Sequence, residues 1–431
     1  MIQTFIVRNF GSIRNLEEIS FLPTNDDKHK EQYLYEVAKG VSLLKIGIVY
    51  GNNASGKTTL LKALSFYRHI MMEKPESKNY GIKYLPFLLD NHSRTEHSFM
   101  QMTFWLNEEK YILSIDFDES RIYEETLNIY SSKRPSTLYK RAYNNDTDHS
   151  EISFGIKAGI DKATQRTIIG NTTNNCTVMA AFAQTNAKTS KLNDVSDFFY
   201  SGMQDILDPN NSTSYDIANE LSNDKDGKKK RFLLDMLKVC DFNITNIKIE
   251  KRVDSLMKSF ETMIKDRYIN EDDQEYFMQS CFKIGDELVF THKGENGEFN
   301  LDKNLESAGT NRFLNIAIVL YYLINKSCFI PIDEIETSIH YEQLSFYIRL
   351  FLANSKGSSQ MLMTTHDINL LNEDYIRRDV VWFTVKDAVG STTIKRLSSL
   401  GLHKTLSPYN AYRQGKLVDL PQFGCINLNN K

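Results

Sequence analysis

The residues whose types and spacing most clearly indicate chemistry form one short stretch, GNNASGKTT at residues 51–59. This stretch matches the pattern G-x-x-x-x-G-K-[ST] at every fixed position. The glycines let the backbone curl so that successive N–H groups face phosphate oxygens. Lys57 can place its charge between the β- and γ-phosphates, and the Thr58 hydroxyl can ligate Mg²⁺. We therefore predict a site for ATP and Mg²⁺, with these nucleotide-binding residues: Gly51, Asn52, Asn53, Ala54, Ser55, Gly56, Lys57, Thr58 and Thr59.

A second group of candidate residues follows an apolar segment at 328–332, which we predict to be a buried strand. Asp333 ends this strand and can hold Mg²⁺ beside Thr58. Glu334 comes next and can polarise an attacking water, which makes it the candidate general base. The alternative is a strand that merely ends in a charged turn.

A histidine occupies the same place after the next predicted strand, at 360–364. His366 lies at the tip of that strand, where it can contact the γ-phosphate and sense its loss. In the alternative interpretation, His366 only caps the following helix. The order of the other motifs favours the catalytic role, together with Lys57 and Glu334.

The segment ESAGTNR at 306–312 opens a predicted helix and offers a second site for an anion. Ser307 and Gly309 can present free N–H groups at the start of that helix. Since one chain would then carry two phosphate-binding elements, the second can belong to the nucleotide of a neighbouring copy. A simple serine cap is the alternative. His340 also allows two interpretations. It could lie at the nucleotide-binding face between two copies, or it could simply begin a helix.

Several elements must position these groups. A strand at 43–50 and a helix carrying Leu60, Leu61 and Leu64 on one face should flank the loop. Strands are also expected within residues 2–22, and a surface connection at 26–36. An antiparallel meander should occupy 98–106, 110–118 and 125–130. The remaining predictions are helices at 176–187, 193–207, 230–240, 254–267, 311–325, 341–354 and 367–373, and strands at 287–292 and 379–385.

These elements suggest three regions in the chain of 431 residues. An N-terminal ATPase lobe would span 1–135, an irregular and helical insertion 136–285, and a C-terminal ATPase lobe 286–431. Because Lys57 and Asp333 must meet one Mg²⁺, the chain between them must leave the central sheet and return. The expected fold class is α/β, with a mixed sheet, an antiparallel β subdomain and a helical insertion.

Composition limits the classes of function. The net charge is −3, so the overall balance does not indicate nucleic acid or a membrane surface as a partner. The five cysteines, Cys176, Cys240, Cys281, Cys328 and Cys425, contain no C-x-x-C pair, which suits a reducing compartment. No apolar run approaches the roughly 18 residues of a membrane-spanning helix. We expect a cytoplasmic protein with no membrane partner.

The order and spacing of these motifs resemble the ABC/SMC-type ATPase heads. More narrowly, the chain is similar to the AAA-family ATPases of bacterial defence loci, including those of the PARIS, Septu, AbiL-type and retron-associated systems. The residues that carry this similarity are RNFGSI at 8–13, GNNASGKTT at 51–59, ESAGTNR at 306–312, IDEIETSIH at 332–340, Tyr412–Lys416 and Leu420-Pro421. In two respects the chain departs from transporter ATPases. ESAGT differs from the LSGGQ signature, and Gln101 falls inside a predicted strand, so a coupling glutamine is not identified.

The resemblance implies that Ser307 and Gly309 of one copy close over ATP bound at Lys57 of another, with His366 as the switch. It therefore implies a homo-oligomer, either a dimer of heads or a higher assembly. It also implies an ATP-dependent sensor or scaffold that controls a separate effector protein, a toxin or nuclease, from the same locus. The trigger would be a phage protein or nucleic acid.

Several alternatives remain at this point. A RecF- or SMC-like DNA-repair ATPase shares the head, and the basic run Lys228–Arg231 could contact DNA. A transporter motor would need the signature and glutamine noted above. A metal-dependent nuclease could use the acidic pairs Asp116 and Asp118, or Asp146 and Asp148.

Overall fold

The computed structural model describes residues 1–131, 134–187, 189–208, 217–250, 287–403 and 406–418. These residues belong to two compact units. The first comprises Met1–Leu207, Leu323–Glu336 and Ile348–Lys431, and the second comprises Asp208–Tyr322 and Thr337–Tyr347. The predicted helix at 254–267, Leu420-Pro421, Cys281 and Cys425 lie outside the described residues.

The secondary structure of the described residues is mixed. The strands are β1 (Ile2–Arg8), β2 (Glu17–Ser20), β3 (Leu34–Ala38), β4 (Val41–Leu44), β5 (Ile46–Tyr50), β6 (Ser98–Leu106), β7 (Glu109–Phe117), β8 (Ile122–Tyr130), β9 (Ser136–Asn144), β10 (His149–Phe154), β11 (Ile244–Glu250), β12 (Glu287–Gly294), β13 (Gly297–Asp302), β14 (Phe329–Ile332), β15 (Gln360–Thr365), β16 (Val381–Lys386) and β17 (Thr392–Arg396). The α-helices are α1 (Lys30–Tyr33), α2 (Lys57–Met72), α3 (Lys162–Asn171), α4 (Val178–Ala183), α5 (Ser190–Asp197), α6 (Ile217–Ser222), α7 (Lys228–Val239), α8 (Ala308–Asn325), α9 (Tyr341–Asn354) and α10 (Pro408–Arg413). A π-helix spans Phe198–Gly202, and short 3₁₀ helices span Ile156–Ala158, Lys303–Leu305, Ile368–Asn372, Arg378–Val380 and Leu397–Ser399.

The central sheet of the first unit has five strands among the described residues, in the order β14-β15-β5-β16-β17. The first four strands are parallel, and β17 pairs antiparallel with β16. Every residue of β5, β14 and β15 is buried, as expected for parallel strands covered on both faces. The carboxyl ends of β5, β14 and β15 therefore meet at one edge of the sheet, and the candidate site residues follow these ends.

The predicted strand at 43–50 is wrong in one respect, because it is broken at Lys45. β4 pairs with β3 in a separate ribbon, whereas β5 enters the central sheet. The Lys45 ammonium, which is buried, donates to the carbonyl oxygen of Ser355 at 2.5 Å. This contact holds the chain where it changes from one sheet to the other.

The surface connection predicted at 26–36 is confirmed in part, because residues 27–32 are exposed. Residues 30–38 form α1 and β3. Tyr33 is fully buried, and its hydroxyl donates to the carbonyl oxygen of Tyr375 at 2.7 Å. One tyrosine in a charged stretch is a weak sequence signal, and it anchors the segment through a long-range contact.

A second sheet of the first unit has seven described strands in the order β10-β9-β8-β7-β6-β1-β2. The predicted meander is confirmed as β6, β7 and β8, and the two strands expected within residues 2–22 are β1 and β2. The sheet continues through β9 and β10 to Phe154, so the boundary placed at residue 135 falls between strands of one sheet. Buried residues alternate along β7, and this face contacts α2, where the Tyr67 hydroxyl donates to the carbonyl oxygen of Leu113.

The helix predicted at 193–207 ends much earlier than expected. α5 stops at Asp197, and after the π-helix the chain runs alongside β14. Met203 forms a parallel bridge with Phe329, and Leu207 forms one with Ile332. The helix predicted at 176–187 is found as the shorter α4, and the one predicted at 367–373 is a 3₁₀ helix.

The second unit contains a three-stranded antiparallel sheet, β11-β12-β13, among its described residues. Its helices include α6, α7 and most of α8. The strand predicted at 287–292 and the helix predicted at 311–325 correspond to β12 and α8, and the helix at 341–354 is found as α9 with the predicted bounds. In the part of the chain that the structure describes, no helix is long and apolar enough to cross a membrane.

The end of α2 is bound to the segment beside β14 by a cluster of charges. The Arg68 guanidinium donates to the carbonyl oxygen of Met203 at 2.6 Å and pairs with the Asp205 carboxylate at 3.0 Å. His69 lies between the carboxylates of Asp205, at 2.8 Å, and Glu73, at 2.7 Å. These two hydrogen bonds raise the pKa of His69 to about 8.

We predict that this cluster makes stability depend on pH. Because the pKa of His69 is higher in the folded state, its contribution is complete below its ordinary pKa and is lost as the pH rises through about 8. The imidazole is partly exposed, so after allowance for solvent screening the contribution is at most about 1 kcal/mol. Urea unfolding at about pH 6 and about pH 9 should show this loss in the wild type and not in His69→Gln. Equal pH dependence in both proteins would contradict the assignment.

Candidate active site

The loop at 51–56 connects β5 to α2, and its glycines lie very close to side chains of β16 and β17. A Cβ atom on Gly51 would lie 2.3 Å from the Thr384 hydroxyl oxygen, and one on Gly56 would lie 2.2 Å from that of Thr392. Gly56 also has φ of +109°, a conformation that residues with side chains rarely adopt. Both fixed glycines of the motif are therefore required by the close approach of Thr384 and Thr392 to the loop backbone.

The other loop residues differ in exposure. Asn53 and Ala54 are exposed at the tip, where Ala54 has φ of +61°. Ser55 is buried, and its hydroxyl shares a hydrogen bond of 2.6 Å with that of Thr384. Asn52 accepts from the Ser55 N–H at 3.1 Å through its carbonyl oxygen. The tip is thus accessible, whereas its base is fixed to β16.

Lys57 begins α2 and turns back over the loop. Its ammonium donates to the carbonyl oxygens of Gly51, at 2.9 Å, and Asn52, at 3.2 Å, and to Nε2 of His366, at 2.9 Å. Burial lowers the pKa of Lys57, and nearby carboxylates offset part of this effect. The carbonyl oxygens and the imidazole stabilise a buried ammonium at the position where a phosphate oxygen could replace them.

Asp333 is the point at which distant segments meet. Its carboxylate accepts from the Thr58 hydroxyl at 2.7 Å and from the Thr364 hydroxyl at 2.5 Å. Its N–H donates to the carbonyl oxygen of Leu207 at 3.0 Å. The structure therefore places the two predicted Mg²⁺ ligands, Thr58 and Asp333, in direct contact.

Glu334 follows in a constrained turn. It has φ of +42°, in the left-handed region, and its N–H donates to the Thr364 hydroxyl oxygen at 2.8 Å. Thr364 is completely buried on β15, so its hydroxyl fixes both acids at the end of β14. Sequence reasoning missed Thr364, because a threonine in a buried strand has no motif of its own.

His366 lies just beyond the end of β15, as predicted. Burial lowers its pKa, and the positive charge of Lys57 lowers it further. A neutral imidazole can accept the hydrogen bond from the Lys57 ammonium. The backbone N–H of His366 donates to the carboxylate of Glu336 at 2.5 Å. Glu336 is a second residue that sequence reasoning missed, although it lies within the quoted segment IDEIETSIH.

The N-terminal motif RNFGSI also supports the loop, through hydrogen bonds. The Ser12 hydroxyl contacts the Thr59 hydroxyl at 3.1 Å and the Thr392 hydroxyl at 2.8 Å, and the Thr392 hydroxyl donates to the carbonyl oxygen of Ser55. The buried Asn9 amide fixes the segment 87–96 through its own hydrogen bonds. The motif is therefore part of the support of the loop. Thr392 carried no sequence signal.

Ser307 and Gly309 belong to the second unit, unlike the residues described above. The Ser307 hydroxyl accepts from the Thr310 N–H at 3.0 Å, so it caps the start of α8. A Cβ atom on Gly309 would lie 2.9 Å from the carbonyl oxygen of Ser338. The cap that was the simpler alternative is thus present. It leaves the role of Ser307 toward an anion as a prediction.

Three other sequence candidates have plain structural surroundings. His340 precedes α9, and its N–H donates to the Gln343 side chain at 3.2 Å, as in a helix cap. Gln101 lies within β6, as predicted. Tyr412 on α10 packs against the rings of Tyr50 and Phe383.

Three of the four acids considered for a nuclease are engaged in hydrogen bonds or ion pairs. Asp116 accepts from His97, and Asp118 accepts from Tyr123 and Ser120. Asp148 pairs with Arg121. Among the described residues, no group of three or more His, Cys, Asp and Glu side chains is placed to hold a metal ion.

The model of the family described as AAA ATPase domain matches residues 1–370. The SMC head domain from Thermotoga maritima is 12% identical, with 92% of this chain and 98% of that chain covered and a TM-score of 0.42. An SMC head bound to the C-winged helix domain of ScpA is 13% identical, with 95% and 99% covered and a TM-score of 0.46. An Smc head with an extended coiled coil, bound to the C-terminal domain of ScpA derived from Pyrococcus furiosus, is 13% identical, with 96% and 98% covered and a TM-score of 0.38.

No curated protein matches the chain. The family match and the observed sheets confirm an α/β ATPase domain with a mixed sheet and an antiparallel β subdomain. Helices α3 to α7 lie within residues 162–239 and are divided between the two units.

Proposed function

The chain belongs to the AAA ATPase domain family, and on this premise we propose that it binds ATP with Mg²⁺ and hydrolyses it at the edge of the central sheet. The observation that carries the proposal is the direct contact of Thr58 with Asp333 beside Lys57 and His366. A hydroxyl and a carboxylate are hard oxygen ligands of the kind that Mg²⁺ prefers. In the loop between Gly51 and Gly56, the backbone N–H groups can donate hydrogen bonds to phosphate oxygens.

Each residue of the site has a defined task in this proposal. Lys57 exchanges the carbonyl oxygens of Gly51 and Asn52 for phosphate oxygens. Thr58 and Asp333 would hold Mg²⁺, which neutralises phosphate charge when it is bound. Glu334 accepts a proton from the attacking water, and His366 contacts the terminal phosphate.

We predict that two substitutions separate binding from hydrolysis. Lys57→Ala removes the phosphate-binding charge and should weaken ATP binding by about 100-fold. Glu334→Gln keeps the size and removes the proton acceptor, so ATP should bind within about threefold of wild type while hydrolysis slows at least about 100-fold. Titration with a fluorescent ATP analogue and a phosphate-release assay measure the two effects. Normal hydrolysis by Glu334→Gln would show that Glu334 is not the base.

The proposal extends to ATP held between two copies of the chain. Its support is that Ser307 caps α8, a helix of 18 residues whose first turn can offer N–H groups and a positive dipole end to an anion. The order of the motifs along the chain gives the same indication. Ser307 and Gly309 of one copy would then close over the nucleotide bound at Lys57 of the other.

A mixing experiment tests this arrangement. Lys57→Ala and Ser307→Arg each spoil every site of their own dimer. In an equal mixture, half of the dimers are mixed and each has one intact site, so activity should return to about a quarter of wild type. The inactive variants assayed separately are the control. If the mixture stays as inactive as its components, the nucleotide is not shared between copies.

We also propose that this ATPase is the sensor or scaffold subunit of a bacterial anti-phage defence complex that controls a separate effector. The support is the similarity of RNFGSI, ESAGTNR and IDEIETSIH to the ATPases of defence loci. Two of the four cations in the basic run considered for DNA contact form ion pairs within the chain, Lys228 with Asp226 and Lys229 with Glu220. This pairing weighs against the alternative of a DNA-repair ATPase.

Coexpression with the product of the adjacent gene tests the defence proposal. We expect the two proteins to copurify, and we expect the pair to protect cells from phage only when Lys57 is intact. Lys57→Ala is the matched control for the ATP requirement. Full protection by this chain alone would contradict the proposal that a separate effector is needed. ATP hydrolysis stimulated by DNA at physiological salt would instead favour the alternative of a DNA-repair ATPase.

A further inference from the structure

Glu336 lies three positions after Asp333 in the first unit and contacts the backbone of His366, just beyond the end of β15. One of its carboxylate oxygens accepts the His366 N–H at 2.5 Å. The other oxygen is buried and has no hydrogen-bond partner among the described residues. Among the described residues, only one of the two carboxylate oxygens of Glu336 therefore has a hydrogen-bond partner, and the residue lies beside the candidate active site.

A buried carboxylate oxygen without a partner destabilises a fold. Leaving a buried polar atom unpaired costs free energy, and a charged group costs more. The hydrogen bond to His366 is made by the other oxygen and does not offset this cost. The arrangement is unfavourable for stability, which indicates that Glu336 has a functional role.

The surroundings of His366 show what Glu336 can act on. The imidazole contacts the Lys57 ammonium of α2 at 2.9 Å, and the charges of three acids after β14, Asp333, Glu334 and Glu336, act on it. Lys57 lowers the pKa of His366, and the three acids raise it, with Glu336 first among them. Glu336 thus contacts the backbone of His366 and also has the largest influence of the three acids on its ring.

We propose that Glu336 is a positioning residue, which holds the backbone of His366 so that the imidazole stays within reach of Lys57 and of the nucleotide. The hydrogen bond fixes the chain at the point where β15 ends and the regular pairing of the sheet no longer does so. This inference rests on the proposed ATP hydrolysis and goes beyond it, because it assigns the control of the switch histidine to a particular acid.

Two substitutions distinguish the hydrogen bond from other roles. Glu336→Ala removes the acceptor, whereas Glu336→Gln keeps an oxygen that can accept the His366 N–H. We expect kcat to fall about tenfold or more in the alanine variant, with KM for ATP within about threefold, and to fall less than about threefold in the glutamine variant. The melting temperature of both variants should be equal to that of wild type or higher, because the unpaired oxygen is removed or neutralised.

A double-mutant cycle with His366→Ala shows whether Glu336 acts through His366. Single-turnover assays of the full chain measure hydrolysis in all four proteins, even where it is slow. We expect Glu336→Ala to have no further effect once His366 is absent, since the positioned group is gone. An equal loss with and without His366 would overturn the proposal and indicate an independent role, such as a second base.

The remaining outcomes are also decisive. Unchanged kcat in Glu336→Ala, or a lowered melting temperature that accounts for the loss, would reject the positioning role. Lys57→Ala, run in parallel, tests hydrolysis itself. If the wild type hydrolyses ATP and Lys57→Ala does not, the proposed function stands whatever the Glu336 variants show.

Discussion

The carboxylate of Asp333 joins segments that are far apart in the sequence, and the rest of the site depends on these contacts. It binds the hydroxyl of Thr58, on the helix after the loop, and that of Thr364, on the neighbouring strand. The parallel order of β14, β15 and β5 brings these three segments to one edge of the sheet. The chain between Thr58 and Asp333 must therefore leave the sheet and return, and it does so through the antiparallel sheet and the second unit.

The Lys57 ammonium at this edge is hydrogen-bonded within the chain. It is shared by two carbonyl oxygens and His366, and the His366 backbone is bound in turn by Glu336. A phosphate oxygen could replace these partners of Lys57. His366 would then lose one partner and keep its backbone anchor, so binding at the loop is coupled to the strand tip. Under the proposed function, this coupling would let the end of β15 respond to bound nucleotide.

The parts of the site that the sequence predicts are those with a fixed local pattern. The loop, the strand ending at Asp333 and the strand-tip histidine follow from spacing and apolar runs, and the structure brings Lys57, Thr58, Asp333 and His366 together. Thr364 and Glu336 could not be found in this way, because their roles arise from contacts across strands. The break at Lys45 and the extended segment 203–207 were missed for the same reason, since each is stabilised by long-range partners that override local propensity.

The most direct test of this account is a crystal structure with Mg²⁺ and an ATP analogue that cannot be hydrolysed. We expect the triphosphate in the loop at 51–56, the Lys57 ammonium on phosphate oxygens rather than on His366, and Thr58 and Asp333 at the metal. A second copy should place Ser307 against the same phosphates. Nucleotide bound away from Lys57, or Lys57 still held by the carbonyl oxygens of Gly51 and Asn52, would contradict the account.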